Sequence, residues 1–331
     1  MTAPLVRLPR WFLTGAGIGV IAALGLSVAG WLPVTLWPGP GHLAVSGPGD
    51  AGEKAMAAEA RMRRAARAVH AARLAAGLAT DAGGTDEDVA FVGSELTPFV
   101  TTLGSLEAKR VAALPGWARV LTRELSQAGV GPGSMVAANF SGSFPGLNVA
   151  VICAAHELGA RLVAVSSVTA STWGATDPGF TWPEIEVRLV REGIVRPASA
   201  AVSVGGDGDR GLDLEPDARV AAERLARDAA RALGATLLAP SSADEAVRQR
   251  VAVFDERAAS RPIAVFVNVG GTEAAMGRSP AILRVPGGWV RELPEGVSGP
   301  DGGLIGQMSA RGTPVLHLLN VRELARRWGV R

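Results

Sequence analysis

The sequence predicts an α/β fold, in which helices flank a mainly parallel sheet, preceded by a transmembrane helix and a further helical segment. Two observations carry this prediction. From residue 127 to residue 331, short apolar runs alternate with longer stretches of helical character. Near the amino terminus, residues 11–36 contain no charged side chain, and this run exceeds the roughly 20 apolar residues that a bilayer-spanning helix needs.

The composition is that of a chain with a substantial core. Of its 331 residues, 48% are hydrophobic and 19% are charged, and the formal net charge is +2. A nucleic-acid binder would carry a basic stripe. The sequence shows no such stripe, so we expect no nucleic-acid partner. The single cysteine, Cys153, lies in the apolar run NVAVICAAHELG, which predicts a buried helical residue. A reactive thiol is the alternative for this residue.

The amino terminus predicts where the protein acts. Arg7 and Arg10 precede the uncharged run, and no charge follows it until Asp50. We therefore expect a cytoplasmic tail over 1–10, a membrane anchor over 11–36, a linker over 37–50 and an extracytoplasmic remainder. A cleaved signal peptide, with SVA at 27–29 as its cleavage motif, is the alternative. An outward-facing domain has poor access to ATP and reduced nicotinamide, so we expect no cofactor.

Residues 51–126 predict a helical region. Its first part, 51–78, is rich in Ala and Arg, and these arginines face either lipid headgroups or solvent. Residues 91–129 read as mixed and helical, in two pieces broken at Pro115. In the α/β region, 127–331, strands are predicted within 134–140, 161–168, 199–206, 236–240, 262–271 and 313–320. Helices are predicted within 144–159, 182–194, 217–234, 242–259 and 321–329, a Rossmann-like alternation.

The stretch NFSGSFPG, residues 139–146, follows one predicted strand and opens the next helix. Pro145 suits the first helical turn and Ser143 suits the cap before it. Ligands of parallel sheets bind beyond the carboxyl ends of strands, and a helix start attracts anions. The sequence therefore predicts a cradle for a carboxylate or phosphate group at Ser141, Gly142 and Ser143, with helix capping alone as the simpler alternative.

Small polar residues also follow the other predicted strands. Because the carboxyl ends of parallel strands share one sheet edge, we expect these residues to converge on the same pocket. The further candidate ligand-binding residues are Ser166, Ser167, Ser171, Trp173, Asn268, Gly270, Gly271 and His317.

Five stretches of the chain resemble the poly-gamma-glutamate system protein family. They are TTLGSLEAKR (101–110), SGSFPGLNVAV (141–151), SSVTASTWGATDPGFTWPEIE (166–186), VNVGG (267–271) and HLLN (317–320). The resemblance implies a membrane-anchored accessory to the synthesis or export of a polyanionic γ-linked glutamate chain. The partners that it implies are poly-gamma-glutamate or its precursor, the membrane subunits of the synthesis complex and the lipid bilayer. It transfers no catalytic residue.

Three functions stay open at the level of sequence. The first is a binding or assembly component without covalent chemistry. The second is a serine hydrolase or transpeptidase that trims or releases the polymer, with Ser143 as nucleophile, Asp207 (or Asp209) as acid and His317 as base, although the flanks of Ser143 depart from G-x-S-x-G.

The third is a metal-dependent activity at the loop GGDGDRG. A turn rich in Gly and Asp explains this loop better. The four histidines are scattered without ligand spacing, so we expect no metal site.

Overall fold

A computed structural model describes residues 48–78, 86–297 and 300–331. Its centre is a seven-stranded sheet in the spatial order β6-β5-β3-β2-β7-β9-β8, in which the neighbouring strands are parallel except for the antiparallel edge pair β8–β9. The strands of this sheet are β2 (Met135–Phe140), β3 (Arg161–Ser167), β5 (Ser199–Ser203), β6 (Thr236–Leu237), β7 (Ile263–Val269), β8 (Gly288–Val290) and β9 (Val315–Leu318). The α/β prediction is therefore confirmed.

Helices cover both faces of the sheet. They are α1 (Pro48–Ala75), α2 (Asp86–Val89), α3 (Leu106–Ala113), α4 (Gly116–Gln127), α5 (Pro145–Glu157), α6 (Trp182–Arg191), α7 (Pro216–Leu233), α8 (Ala243–Ala258), α9 (Glu273–Met276), α10 (Gly303–Ala310) and α11 (Val321–Trp328). Side chains alternate across each strand, so Val136 and Ala138 join the core under α5 while Met135 and Ala137 join the core under α8. Cys153 is fully buried in α5, as predicted.

The strand order reverses next to β2. The chain passes from β2 to β3, β5 and β6 on one side, and then crosses back to β7 on the other side of β2. Such a reversal opens a crevice beyond the carboxyl ends of the two strands that flank it. Here those ends are residues 139–143 and 268–272, the two segments that the sequence marked with small polar residues.

The helical region 51–126 and the α/β region share one hydrophobic core. Met62 of α1 and Trp117 of α4 belong to the same buried cluster as Val149 of α5 and Val136 of β2. Arginines of α1 also turn inward: Arg73 is 3% exposed and pairs with Asp177 at 2.9 Å. The first helix is thus part of the wall of the domain, because its buried small and apolar residues complete the layer over α4 and α5.

Residues 91–105 differ from the helical expectation. They form an irregular segment that ends in the short strand β1 (Val100–Thr102), which pairs in parallel with β4 (Ala170–Ser171) in a separate two-stranded sheet. The break at Pro115 is confirmed, since α3 ends at Ala113 and α4 begins at Gly116. The β1–β4 pair matters for the site because it holds Ser171 in place.

The predicted membrane anchor, residues 11–36, lies outside the described residues. Within the described ranges, no helix is both long and apolar enough to cross a bilayer.

Candidate functional site

The corner after β2 is built from hydrogen bonds between its own small residues and the segment after β3. Helix α5 begins at Pro145, as expected, but its N-cap is Phe144, which provides no side-chain cap. The expectation that Ser143 caps the helix is therefore wrong. Its hydroxyl instead accepts a hydrogen bond from the backbone N–H of Ser171 at 3.2 Å, and the Ser143 N–H donates to Ser141 Oγ at 3.0 Å.

Close packing requires glycine at one position of this corner and leaves little room at another. A Cβ atom on Gly146 would lie 2.4 Å from the carbonyl oxygen of Ala112, which no real side chain tolerates. A Cβ atom on Gly142 would lie 3.1 Å from the Cβ of Ala170. The start of α5 is consequently pressed against α3, and packing accounts for part of the glycine content that sequence reasoning assigned to a ligand.

Lys109 is a functional candidate that the sequence analysis did not single out. It comes from α3, is 4% exposed, and reaches the corner with its ammonium group. Its Nζ donates to the backbone oxygen of Ser143 and to Ser171 Oγ, the latter at 2.7 Å, and lies 4.2 Å from the centre of the Phe144 ring. No ion pair with Lys109 occurs in the described residues, and burial lowers its pKa from 10.5 to about 7.

One compositional signal could have found Lys109. Of 33 basic residues in the chain, only Lys54 and Lys109 are lysines. Arginine keeps its proton in proteins, whereas a buried lysine changes its pKa readily. This chain uses arginine at almost every basic position. A lysine within the stretch 101–110, which is predicted to be partly helical, is therefore a candidate for a role that arginine cannot fill.

The segment Ser171–Gly174 is the second wall of the corner. Thr172 Oγ1 accepts from the N–H of Gly104 at 2.7 Å and donates to its carbonyl at 3.2 Å, so this segment is fastened to the turn before α3. Trp173 follows with φ of 63°, a backbone conformation that bulky side chains rarely adopt. Its ring is half-buried and packs against Val89 and Val92. Strained residues of this kind cluster at functional sites.

A row of buried polar side chains crosses the sheet on the face under α8. Asn139, Asn268 and His317 are register partners on β2, β7 and β9. Asn139 Nδ2 donates to Asn268 Oδ1 at 3.2 Å, and Asn268 Nδ2 lies 3.0 Å from His317 Nδ1. Burial lowers the pKa of His317 to about 4, so its ring is neutral at physiological pH and Nδ1 accepts from Asn268.

The row continues through a buried ion pair. Arg250 of α8 is 1% exposed and holds both carboxylate oxygens of Asp209, at 2.6 and 2.8 Å. Its Nε donates to Asn139 Oδ1 at 3.2 Å, and its Nη2 donates to Ser203 Oγ at 2.9 Å. The arginine thus ties the loop after β5 to the ends of β2 and β5.

The loop after β5 also gathers carboxylates. The N–H of Asp207 donates to Asp213 Oδ1 at 3.0 Å, and the N–H of Gly208 donates to Glu273 Oε2 at 2.9 Å. Burial is the main cause that raises the pKa of both Asp213 and Glu273. Asp209 is committed to Arg250 and cannot serve a cation as well. Within the described ranges, no group of three or more His, Cys, Asp or Glu residues has a metal-binding arrangement.

The predicted triad is not assembled by hydrogen bonds. Ser143 Oγ is bonded to the Ser171 N–H, and His317 is bonded through Nδ1 to Asn268. The other ring nitrogen of His317, Nε2, is buried without any partner. Asp207 is half-buried and contacts Asp213 through its backbone. The amine of Lys109, by contrast, contacts this corner directly, at the Ser143 carbonyl and the Ser171 hydroxyl.

The remaining candidates divide between corner and core. Gly270 lies against the corner, since a Cβ there would be 2.9 Å from the Cβ of Ser141, and Gly271 is exposed beside it. Ser167 Oγ lies 3.5 Å from the carbonyl of Phe140, inside the sheet edge. Ser166 faces away from the corner, where it accepts from Trp182 Nε1 at 2.8 Å.

Ser166 belongs to a second buried network that supports the sheet. Its hydroxyl lies 2.6 Å from that of Ser199, which in turn donates to the carboxylate of Glu186. The backbone N–H groups of Ala198 and Ser199 donate to the other Glu186 oxygen at 2.8 and 2.9 Å. The Ser166 hydroxyl is therefore part of a buried network that supports the sheet.

Two surface grooves lie away from the corner. One, of about 390 Å³, separates α6 from α7. The other, of about 450 Å³, follows the carboxyl ends of β5 and β6, with Leu237, Leu238 and Pro240 in its apolar wall. Its charged lining is Asp209, Arg210, Arg219, Glu223 and Arg227.

Comparisons with protein-family models, with curated proteins and with solved structures found no match for this chain.

Proposed function

We propose that the protein is a membrane-anchored, extracytoplasmic component of poly-gamma-glutamate synthesis or export, and that it binds the anionic polymer at the carboxyl edge of its sheet. The resemblance of the five sequence stretches supports the polymer, and the uncharged run 11–36 supports the anchor. Membrane subunits of the synthesis machinery are its expected partners, because an accessory protein has to receive the polymer where it emerges.

The observation that carries the binding function is the charge of the groove beside β5 and β6. Arg219, Glu223 and Arg227 follow one another at intervals of four along α7, so their side chains share one face of the helix. Arg210 adds a third guanidinium from the loop after β5. Asp209, the other acid in the lining, is neutralised by Arg250. The groove consequently has a surplus of positive charge.

One arginine of the groove has a donor to spare. The Nε of Arg219 is buried and makes no hydrogen bond. Its nearest acid, Glu223, lies 3.9 Å away, too far for a hydrogen bond. A buried donor without an acceptor is costly, and a carboxylate of the ligand would satisfy it. A chain of carboxylates on an aliphatic backbone matches both the arginines and the apolar wall of this groove.

The test is binding of fluorescently labelled poly-gamma-glutamate by the full-length protein in detergent micelles, followed by anisotropy. We expect the double variant Arg219→Gln/Arg227→Gln to weaken binding roughly tenfold or more, which corresponds to about 1.4 kcal/mol. The matched control is Arg224→Gln/Arg231→Gln, which removes the same charge from the same helix outside the groove.

Salt provides a second readout of the same experiment. Exposed charges are screened, so raising the salt concentration weakens binding of the wild-type protein more than binding of the groove variant. Equal losses in the groove variant and in the control variant would show that only net charge matters, and would refute the groove as the binding site.

A further inference from the structure

Lys109 and Ser171 form a cluster that polymer binding in the arginine groove does not use. We infer that Ser171 and Lys109 are a nucleophile and its general base, and that they transfer the acyl group of a secondary amide. Such a pair requires a serine hydroxyl within hydrogen-bond reach of an amine that is neutral for part of the time. The distance from Lys109 Nζ to Ser171 Oγ is 2.7 Å. The activity goes beyond the proposed binding function and does not depend on it.

Lys109 has the environment of a base rather than of a surface cation. The groups that face its amine are the Ser143 carbonyl, the Ser171 hydroxyl and the ring of Phe144, none of which is charged. On its own helix, Glu107 is directed to Arg322, at 3.1 Å. Among the described residues, no acid pairs with the ammonium group, and burial lowers the pKa of Lys109 to about 7. Near neutral pH, part of the population therefore has a free amine at this position.

The surrounding residues fix the positions of Lys109 and Ser171 relative to each other. A Cβ on Gly104 would lie 3.0 Å from Ser171 Oγ and 3.1 Å from Lys109 Cε, so the bare backbone of this residue covers both groups on one side. The parallel β1–β4 pairing and the Thr172–Gly104 hydrogen bonds fix the serine backbone. Ser171 is 7% exposed, and its neighbours Ser143 and Trp173 are half-buried.

Two further features distinguish this corner. Trp173, two residues after the serine, has a φ of 63°, and a bulky residue keeps such a conformation only when its surroundings enforce it. Asn148, in the first turns of α5, donates to the carbonyl of Ser141 at 2.9 Å, yet its Oδ1 is buried without a partner. An unused acceptor on the residue that binds the Ser141 carbonyl is accounted for if a donor on a ligand occupies the corner.

The reaction balances without a cofactor. The Ser171 oxygen attacks the amide carbon while its proton passes to the neutral amine of Lys109. The C–N bond then breaks, and the proton on Lys109 goes to the leaving nitrogen, which departs as an amine. The product on the enzyme is an ester of Ser171. Water, or a second amine, attacks this ester with loss of a proton to Lys109, which releases an acid or a new amide and restores the serine.

A fluorophosphonate probe tests this pair without knowledge of the natural substrate. The activated oxygen attacks phosphorus and displaces fluoride, and the modified peptide is identified by mass spectrometry in the full-length protein. We expect the label on Ser171, with a rate that rises through a midpoint near pH 7 as Lys109 loses its proton. Ser171→Ala should abolish the labelling because it removes the attacking oxygen. Lys109→Met is expected to lower the labelling rate by at least 100-fold, the usual contribution of a general base.

The control variant is Ser309→Ala, since this serine is half-buried on α10 and outside the corner. It should be labelled like the wild-type protein. If Lys109→Met fails to fold, the test rests on the pH at which the labelling rate of the wild-type protein is half-maximal. Absence of label, label on another serine, or a rate that does not change between pH 6 and 8 would each overturn the inference. Loss of polymer binding in the arginine variants would leave the labelling unchanged, so the two proposals fail separately.

Discussion

Replacement of Lys109 by methionine should change how the stability of the protein depends on pH. The new side chain has a similar volume, is one atom shorter and has no charge, and the site is buried. In the folded protein the pKa of Lys109 is about 7, against 10.5 when the chain is unfolded. Between these values the unfolded state binds more protons, so the free energy of unfolding rises with pH in this interval.

The magnitude follows from the two pKa values. One pKa unit corresponds to about 1.4 kcal/mol, and Lys109 is half-protonated in the fold at pH 7. Between pH 7 and pH 9, the wild-type protein should therefore gain about 2 kcal/mol that the Lys109→Met protein does not gain. Other groups add their own pH dependence. Cys153, whose pKa burial raises to about 12, lowers stability as the pH passes 9. Their contributions cancel in the difference between the two proteins.

The assay is urea unfolding of the full-length protein in detergent, followed by the fluorescence of buried tryptophans, at intervals from pH 6 to pH 9. The difference between the two unfolding free energies is plotted against pH. A difference that stays constant would mean that Lys109 keeps its proton throughout, and would refute the argument that burial alone sets its pKa.

Two other predictions concern stability at constant pH. Arg250→Met leaves the carboxylate of Asp209 buried without its cation, so we expect a loss of about 3–5 kcal/mol in urea unfolding, partly restored by adding Asp209→Leu. A loss below 1 kcal/mol would mean that Asp209 finds another partner. Gly146→Ala forces a Cβ to within 2.4 Å of the Ala112 oxygen and should cost about 1–3 kcal/mol. Its control is Gly52→Ala on α1, which has open space and should stabilise the helix by about 0.5–1 kcal/mol; equal effects of the two changes would contradict the packing argument.

The predicted strands and helices after residue 127 agree with the structure because their signals are local. An apolar run such as Met135–Phe140 and a helix stopped by a glycine, as α7 is at Gly234, depend on residues close in sequence. The short elements were missed for the same reason. Strand β1 has three residues and exists only through its pairing with β4, about 70 positions later in the chain.

The sequence predicts where in the fold the candidate site lies, but only some of the side chains that form it. The alternation of strands and helices predicts that Ser141, Asn268 and His317 lie at one edge of the sheet. In the structure, the strands that carry or precede them are neighbours in the sheet. The local pattern could not tell that His317 faces α8 and binds Asn268, because which face a side chain takes depends on strand register. The sequence likewise could not tell that the hydroxyl of Ser166 contacts Trp182 and Ser199.

By itself the sequence determined the α/β architecture, the edge of the sheet where polar residues collect, and the uncharged run that suits a membrane anchor. Periodicity and composition suffice for these features, since each is encoded in a short window of residues. Only the tertiary structure brought Lys109 of α3 to Ser171, which lies 62 positions further along the chain, and buried the amine among uncharged groups. Burial is what lowers the pKa of Lys109, and burial is a property of the packed chain rather than of any segment of it.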